Sequence, residues 1–148
     1  MHEVTIVPLQ YWPDPQGDVL LSYSGEECLL HYACWLAPGD PADFICRLSF
    51  QKAAVVRAFR REYVPYPIPE NARRGYMLQI LNSEFTKEHS AYRQRFYSHI
   101  PADTTLRNHY VFCGHDIYYE IFAAGFTETV ISQSAITDEK FLALIRSA

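Results

Sequence analysis

The stretch HYVFCGHDIYYE, residues 109–120, consists of two runs rich in aromatic and β-branched residues, separated by Gly114-His115-Asp116. Runs of this kind around a glycine-containing turn fold as a β-hairpin, and the period of two along each strand sorts their side chains onto two faces. If Gly114-His115 makes the turn, Phe112 faces Ile117, Tyr110 faces Tyr119 and His109 faces Glu120. If His115-Asp116 makes it, every pairing slides by two and the faces are unchanged. Tyr110, Phe112, Ile117, Tyr119 and Ile121 form an apolar face, read as the core side. The other face holds His109, Val111, Cys113, Tyr118, Glu120 and Phe122 and is expected to be the wet one.

That second face carries the candidate binding residues His109, Cys113, Tyr118 and Glu120. A carboxylate beside an imidazole is a usable acid–base pair, and cross-strand neighbours lie about 4.5–5.5 Å apart at Cβ. The competing reading is a cross-strand ion pair on an exposed sheet face. Both require His109 and Glu120 to share a face. Nucleophilic catalysis by Cys113 would require an exposed thiol of lowered pKa, which its place between Phe112 and Gly114 does not suggest.

Upstream, residues 2–11, 18–24 and 27–36 read as strands separated by turn-forming stretches. SGEE (residues 24–27) also fits a helix capping box, so a helix over 27–36 stays open. Pro38 and Pro41 are expected to end that unit. Residues 44–50 alternate, with Phe44, Cys46, Leu48 and Phe50 on one face. Residues 52–63 fit a helix or a return strand equally well. Pro65, Pro67 and Pro69 make an extended, polyproline-like connector. Residues 76–81 form a short strand.

Helix signals follow at 83–97, where Asn82 or Ser83 caps and Phe85, His89, Tyr92 and Phe96 form a packing stripe. The continuation of the opening segment, EIFAAGFTETVI (residues 120–131), leads to a second helix from about Asp138. The expected fold is a single α+β domain over 1–148, with a curved antiparallel sheet of about six strands and two packed helices.

The composition is that of a folded chain, with 49% hydrophobic residues and 22 aromatic rings (11 Tyr, 9 Phe, 2 Trp). A net charge of −4 provides no general field for a polyanion, so nucleic acid is not an expected partner. The local exception is the cluster of Arg57, Arg60 and Arg61, a candidate anion or partner patch. No leader is visible at the N-terminus, and no run approaches the roughly 20 apolar residues that span a bilayer. The expectation is a cytoplasmic protein with no membrane partner.

Cys28, Cys34, Cys46 and Cys113 contain no C-x-x-C pair and read as reduced, buried thiols. On a strand His31 points away from Cys28 and Cys34, so neither a metal site nor a cofactor is expected. Walker-type, Rossmann, G-x-S-x-G and H-E-x-x-H motifs are absent.

ILNSEF (residues 80–85) and HYVFCGHDIYYEIFAAGF (residues 109–126) resemble small bacterial proteins with an Asn-Ser-Glu-aromatic helix start and a His-Tyr strand, turn Asp and Tyr-Glu strand. The resemblance covers roughly residues 78–126. It implies a small bacterial α+β protein and transfers no catalytic residue. Two function classes follow. The first is a non-enzymatic, immunity-like or accessory interaction module acting on a protein partner or as a homodimer, for which strands 4–7 or 76–81 could pair at a sheet edge. The second is a binder of a small apolar ligand or lipid, or an enzyme, with a pocket around His109, Tyr118 and Glu120. A deep aromatic cavity would favour the second; a filled interior with a contiguous exposed apolar patch would favour the first.

Overall fold

The computed structural model describes residues 3–25, 27–68, 70, 76–101, 105–132 and 139. Strands account for 57% of these residues and fall into two five-stranded antiparallel sheets, with a single helix of seven or more residues among them. This corrects the expectation of one curved sheet with two packed helices. The helix expected from Asp138 lies outside the described residues, apart from Glu139.

The first sheet has the order β1-β7-β8-β9-β6, from β1 (Glu3–Val7), β6 (Val55–Arg60), β7 (Tyr76–Leu81), β8 (Asn108–Cys113) and β9 (Ile117–Ala123). In the second, β10 (Gly125–Ser132) lies beside β5 (Asp40–Gln51), which pairs with β4 (Glu27–Ala37); β2 (Trp12–Pro13) and β3 (Val19–Ser24) both pair with β4. Residues 27–36 are therefore strand. Residues 55–60 of the ambiguous 52–63 stretch are strand too, followed by a 3-10 turn at Arg61–Tyr63. Pro41 does not end the unit. Pro38-Gly39 make the turn, with Gly39 at φ +78°, and Pro41 sits inside β5 opposite Trp35, where the register shifts. A bulge of that kind is where a strand tolerates a residue that lacks an N–H.

The sheets pack face to face around one aromatic core. Cys28, Leu30, Tyr32, Cys46, Leu48 and Phe50 meet Met77, Tyr110, Phe112, Ile121 and Ala123. Tyr32 stacks near Phe112 with ring centres 5.3 Å apart, and Phe50 lies 5.8 Å from Tyr110. The chain passes from one sheet to the other at two adjacent corners. Gln51 to Ala54 carries β5 into β6, and Ala124 carries β9 into β10; Ala124 N–H donates to Gln51 O at 2.8 Å and Ala54 N–H to Phe122 O at 2.9 Å. The run 120–131 is therefore two strands in different sheets. Its Ala-Ala-Gly centre, with no bulky side chain, is where the switch occurs.

The hairpin has the register with His115-Asp116 at its tip: Cys113 faces Tyr118, Phe112 faces Tyr119 and Tyr110 faces Ile121. Both of its faces are buried. The supposedly wet face is covered because β6 and β7 lie on opposite sides of the β8-β9 pair, so the connector between them must cross that face. Val64, Tyr66 and Ile68 pack down against Leu78, Ile80, Val111, Cys113 and Tyr118, while Pro65 and Pro67 point to solvent. Alternating proline suits this strap, because each proline fixes an extended φ without requiring a ladder hydrogen bond.

Ser83 caps the helix α1 (Glu84–Phe96), accepting from Phe85 N–H at 3.2 Å, and Asn82 takes up the left-handed φ of +52° between strand and helix. Of the expected packing stripe, Phe85 reaches the sheet and lies 5.2 Å from the Phe122 ring. His89 stacks on Phe85, whereas Tyr92 and Phe96 are exposed.

Candidate functional site

Five side chains from five elements meet on the outer face of the first sheet, between the strap and the start of α1. Arg57 of β6 is directly opposite Glu120 of β9, which in turn is directly opposite Val111 of β8, so His109 lies one diagonal step from Glu120. His109 and Glu120 are 2% and 3% exposed. His109 Nε2 is 3.2 Å from Glu120 Oε2. The same oxygen accepts from the Tyr66 hydroxyl at 2.5 Å, and Oε1 accepts from Arg57 Nε at 2.6 Å, with Arg57 Nη2 as a second donor. On the far side of the imidazole, Ser83 Oγ is 2.6 Å from His109 Nδ1.

The proton positions follow from these contacts. Burial pushes the Glu120 carboxyl upward, but hydrogen bonds from His109, Tyr66 and Arg57 outweigh it and hold the group below its ordinary value of 4.5. Glu120 is therefore an anion at neutral pH and accepts at both oxygens. His109 Nε2 accordingly carries the hydrogen, and in the neutral ring Nδ1 offers its lone pair to the Ser83 hydroxyl. Ser83 donates to His109 while accepting from Phe85 N–H. The resulting order, serine to imidazole to carboxylate, gives each group one role.

The four hairpin candidates share this face, and of them only His109 borders an open recess. Tyr118 and Cys113 are buried under Val64, Tyr66 and Ile68, and burial pushes the Cys113 thiol up to about 12, which removes its nucleophilic character. Arg57 turns onto Glu120, while Arg60 is exposed and approaches Glu62 at 4.0 Å. Cys28, Cys34, Cys46 and Cys113 are all free and buried, and His31 lies on the opposite side of β4 from Cys28 and Cys34, accepting from Arg47 Nε at 2.8 Å. Ser83 and Tyr66 were not among the sequence candidates. The first carried only a capping signal and the second lay in a connector, and neither signal points at His109.

A recess of about 430 Å³ opens beside Ser83 and His109 and is lined also by Gln79, Lys87, Arg107 and Asn108. The C-terminal half of α1 and the residues after it expose Tyr92, Phe96, Tyr97 and Ile100, and Leu106 is exposed as well. The Tyr92 ring lies 4.8 Å from Phe96 and 6.0 Å from Tyr97, and the Arg95 guanidinium sits 5.0 Å over the Phe96 ring.

Comparison with protein-family models, curated proteins and solved structures gives no match. Among the described residues, no helix is long and apolar enough to cross a membrane.

Proposed function

We propose that this chain is a protein-interaction module whose contact surface is the aromatic end of α1 together with Tyr97 and Ile100. One observation carries the reading: Tyr92 and Phe96 touch each other while 54% and 52% exposed, and Tyr97, 44% exposed, has its ring 6.0 Å from that of Tyr92. Scattered exposed hydrophobes need no explanation, but a contiguous group of them marks a contact site. Tyrosine, phenylalanine and arginine are the residue types enriched at the centres of such sites. The strap supports the same reading, since Val64, Tyr66 and Ile68 cover Cys113 and Tyr118 and, among the described residues, leave no cavity over them.

The partner's chemistry follows from the rim. Arg95 lies over Phe96, and Arg93 donates to Pro101 O at 3.1 Å. Two copies related by a two-fold axis through Phe96 would bring these charges together, so the fitting partner is a different protein with an apolar patch edged by acidic residues. Sedimentation velocity over a range of concentrations tests this. The expected result is a monomer throughout. A concentration-dependent dimer that dissociates on Phe96→Asp would replace the reading with self-association.

A second reading, a small apolar ligand, is supported by a recess of about 330 Å³ lined by Ile6, Val7, Leu9, Trp12 and Met77. That volume lies at the lower end for small-molecule sites. A rise in melting temperature with a medium-chain fatty acid, lost on Met77→Trp, would favour it.

A further inference from the structure

We propose that Ser83 is a nucleophile, activated by His109 and oriented through Glu120, for acyl transfer from small anionic esters bound in the recess beside it. The inference does not rest on the aromatic surface and goes beyond the interaction reading. Its basis is the chain of contacts already described: Ser83 Oγ to His109 Nδ1 at 2.6 Å, and His109 Nε2 to Glu120 Oε2 at 3.2 Å. A serine hydroxyl is a weak nucleophile until an adjacent base accepts its proton and a third group holds that base in one tautomer. Here the ionised Glu120 fixes the hydrogen on Nε2, which leaves Nδ1 to act as the base. Tyr66 and Arg57 satisfy the rest of the carboxylate and hold it in place. Ser83 and His109 are the catalytic residues of this proposal; Glu120, Arg57 and Tyr66 are positioning residues.

Ser83 and His109 both border the 430 Å³ recess, with Lys87 and Arg107 on its wall. Two cationic side chains in a small recess suit a substrate carrying a carboxylate or a phosphate near its ester. Arg107 Nε donates to Lys52 O at 2.8 Å, which anchors that side chain. Ser83 is also the cap of α1, so its Oγ sits at the positive end of the helix and accepts from Phe85 N–H, an electrostatic setting that favours negative charge nearby.

The reaction balances with water as the only co-reactant. Oγ bonds to the acyl carbon as its proton passes to Nδ1, and the carbonyl electron pair moves onto oxygen. That pair returns as the alkoxide leaves, taking the proton from Nδ1. Water then attacks the acyl-serine, giving a proton to Nδ1, and the acid departs as that proton returns to Oγ.

The test uses the full chain with a fluorophosphonate, which is an electrophile for activated serines, read by intact mass and peptide mapping. The expected result is one adduct on Ser83, absent in Ser83→Asn, a substitution that keeps a good helix cap and removes the nucleophile. Glu120→Gln, checked for folding by its melting curve, is expected to lower the maximal inactivation rate at least about tenfold with half-saturation by the probe unchanged. No adduct on the wild-type chain, or an adduct on a different residue, overturns the proposal even if Glu120→Gln fails to fold. A folded Glu120→Gln chain labelled at the wild-type rate removes the relay. The substrate class is read from nitrophenyl hemisuccinate against nitrophenyl acetate: faster turnover of the anionic ester, reduced in Lys87→Ala, is expected, and equal rates on both would refute an anionic substrate.

Discussion

Arg57 and Glu120 face each other across β6 and β9, and the arginine meets the carboxylate with two donors while Glu120 is almost wholly buried. Arg57 is less enclosed, its side chain 44% exposed, so it can return to water when its partner is lost. Glu120 cannot. Removing the arginine therefore costs more than neutralising the acid, because a buried anion loses its main counter-charge. Arg57→Met is expected to destabilise by about 2–3 kcal/mol and Glu120→Gln by less, read from urea midpoints at constant slope. Equal losses would mean that water, not Arg57, solvates the carboxylate.

Acid should unfold the protein in two stages. Burial, reinforced by Arg47, lowers His31 from 6.5 to about 4. Its unfolded form binds a proton that the folded form refuses between those values, so stability falls as pH drops from about 6.5 to about 4, by at most about 1.4 kcal/mol per pH unit. Glu120 adds a second loss. Its folded value lies below 4.5, so its stabilisation is complete above 4.5 and disappears as pH falls through that lower value. His31→Gln is expected to flatten the first stage and leave the second, as read from unfolding free energies at half-unit steps.

The strap makes a prediction of opposite character at alternate positions. Tyr66→Phe removes one hydroxyl donor from a buried carboxylate and is expected to cost about 1–2 kcal/mol. Pro65→Ala and Pro67→Ala remove no contact inside the fold, yet each should cost about 0.4–1 kcal/mol by loosening the unfolded chain. Thermal unfolding of the three variants checks this. Neutral proline variants would show that the strap does not depend on prolyl stiffness.

At the hairpin tip, a Cβ added at Gly114 would lie 2.5 Å from the carbonyl oxygen of Ile117, the same oxygen that accepts Gly114 N–H at 3.1 Å. That is backbone against backbone, with no flexible side chain to give way. Gly114→Ala is expected to destabilise by about 2–4 kcal/mol, with altered amide shifts confined to the ends of β8 and β9.

These relationships show what can be read from sequence here. Period-two alternation correctly divided Tyr110, Phe112 and Ile121 from His109, Val111 and Glu120, because strand geometry is local. It could not tell that the second face is covered, since that depends on β6 and β7 flanking the β8-β9 pair, a nonlocal fact of topology. The two-layer architecture was missed for a similar reason. Its corners at Ala53-Ala54 and Ala123-Ala124 are short stretches of small residues that carry no turn signal of their own. β1 and β7, considered together as edge strands, differ in place: β1 is the edge and β7 is paired on both sides. Ser83 announced itself only as a cap, and its approach to His109 crosses 26 positions of sequence.

The interaction reading is tested most directly by replacing Phe96 with a photo-crosslinking benzoylphenylalanine in the cells that make the protein, with the same group at the exposed Ser22 as control. One crosslinked protein with an acidic, apolar surface is expected, captured from position 96 and not from 22, and lost when Tyr92 is changed to Asp. Equal crosslinking at both positions, or none at 96, would contradict it.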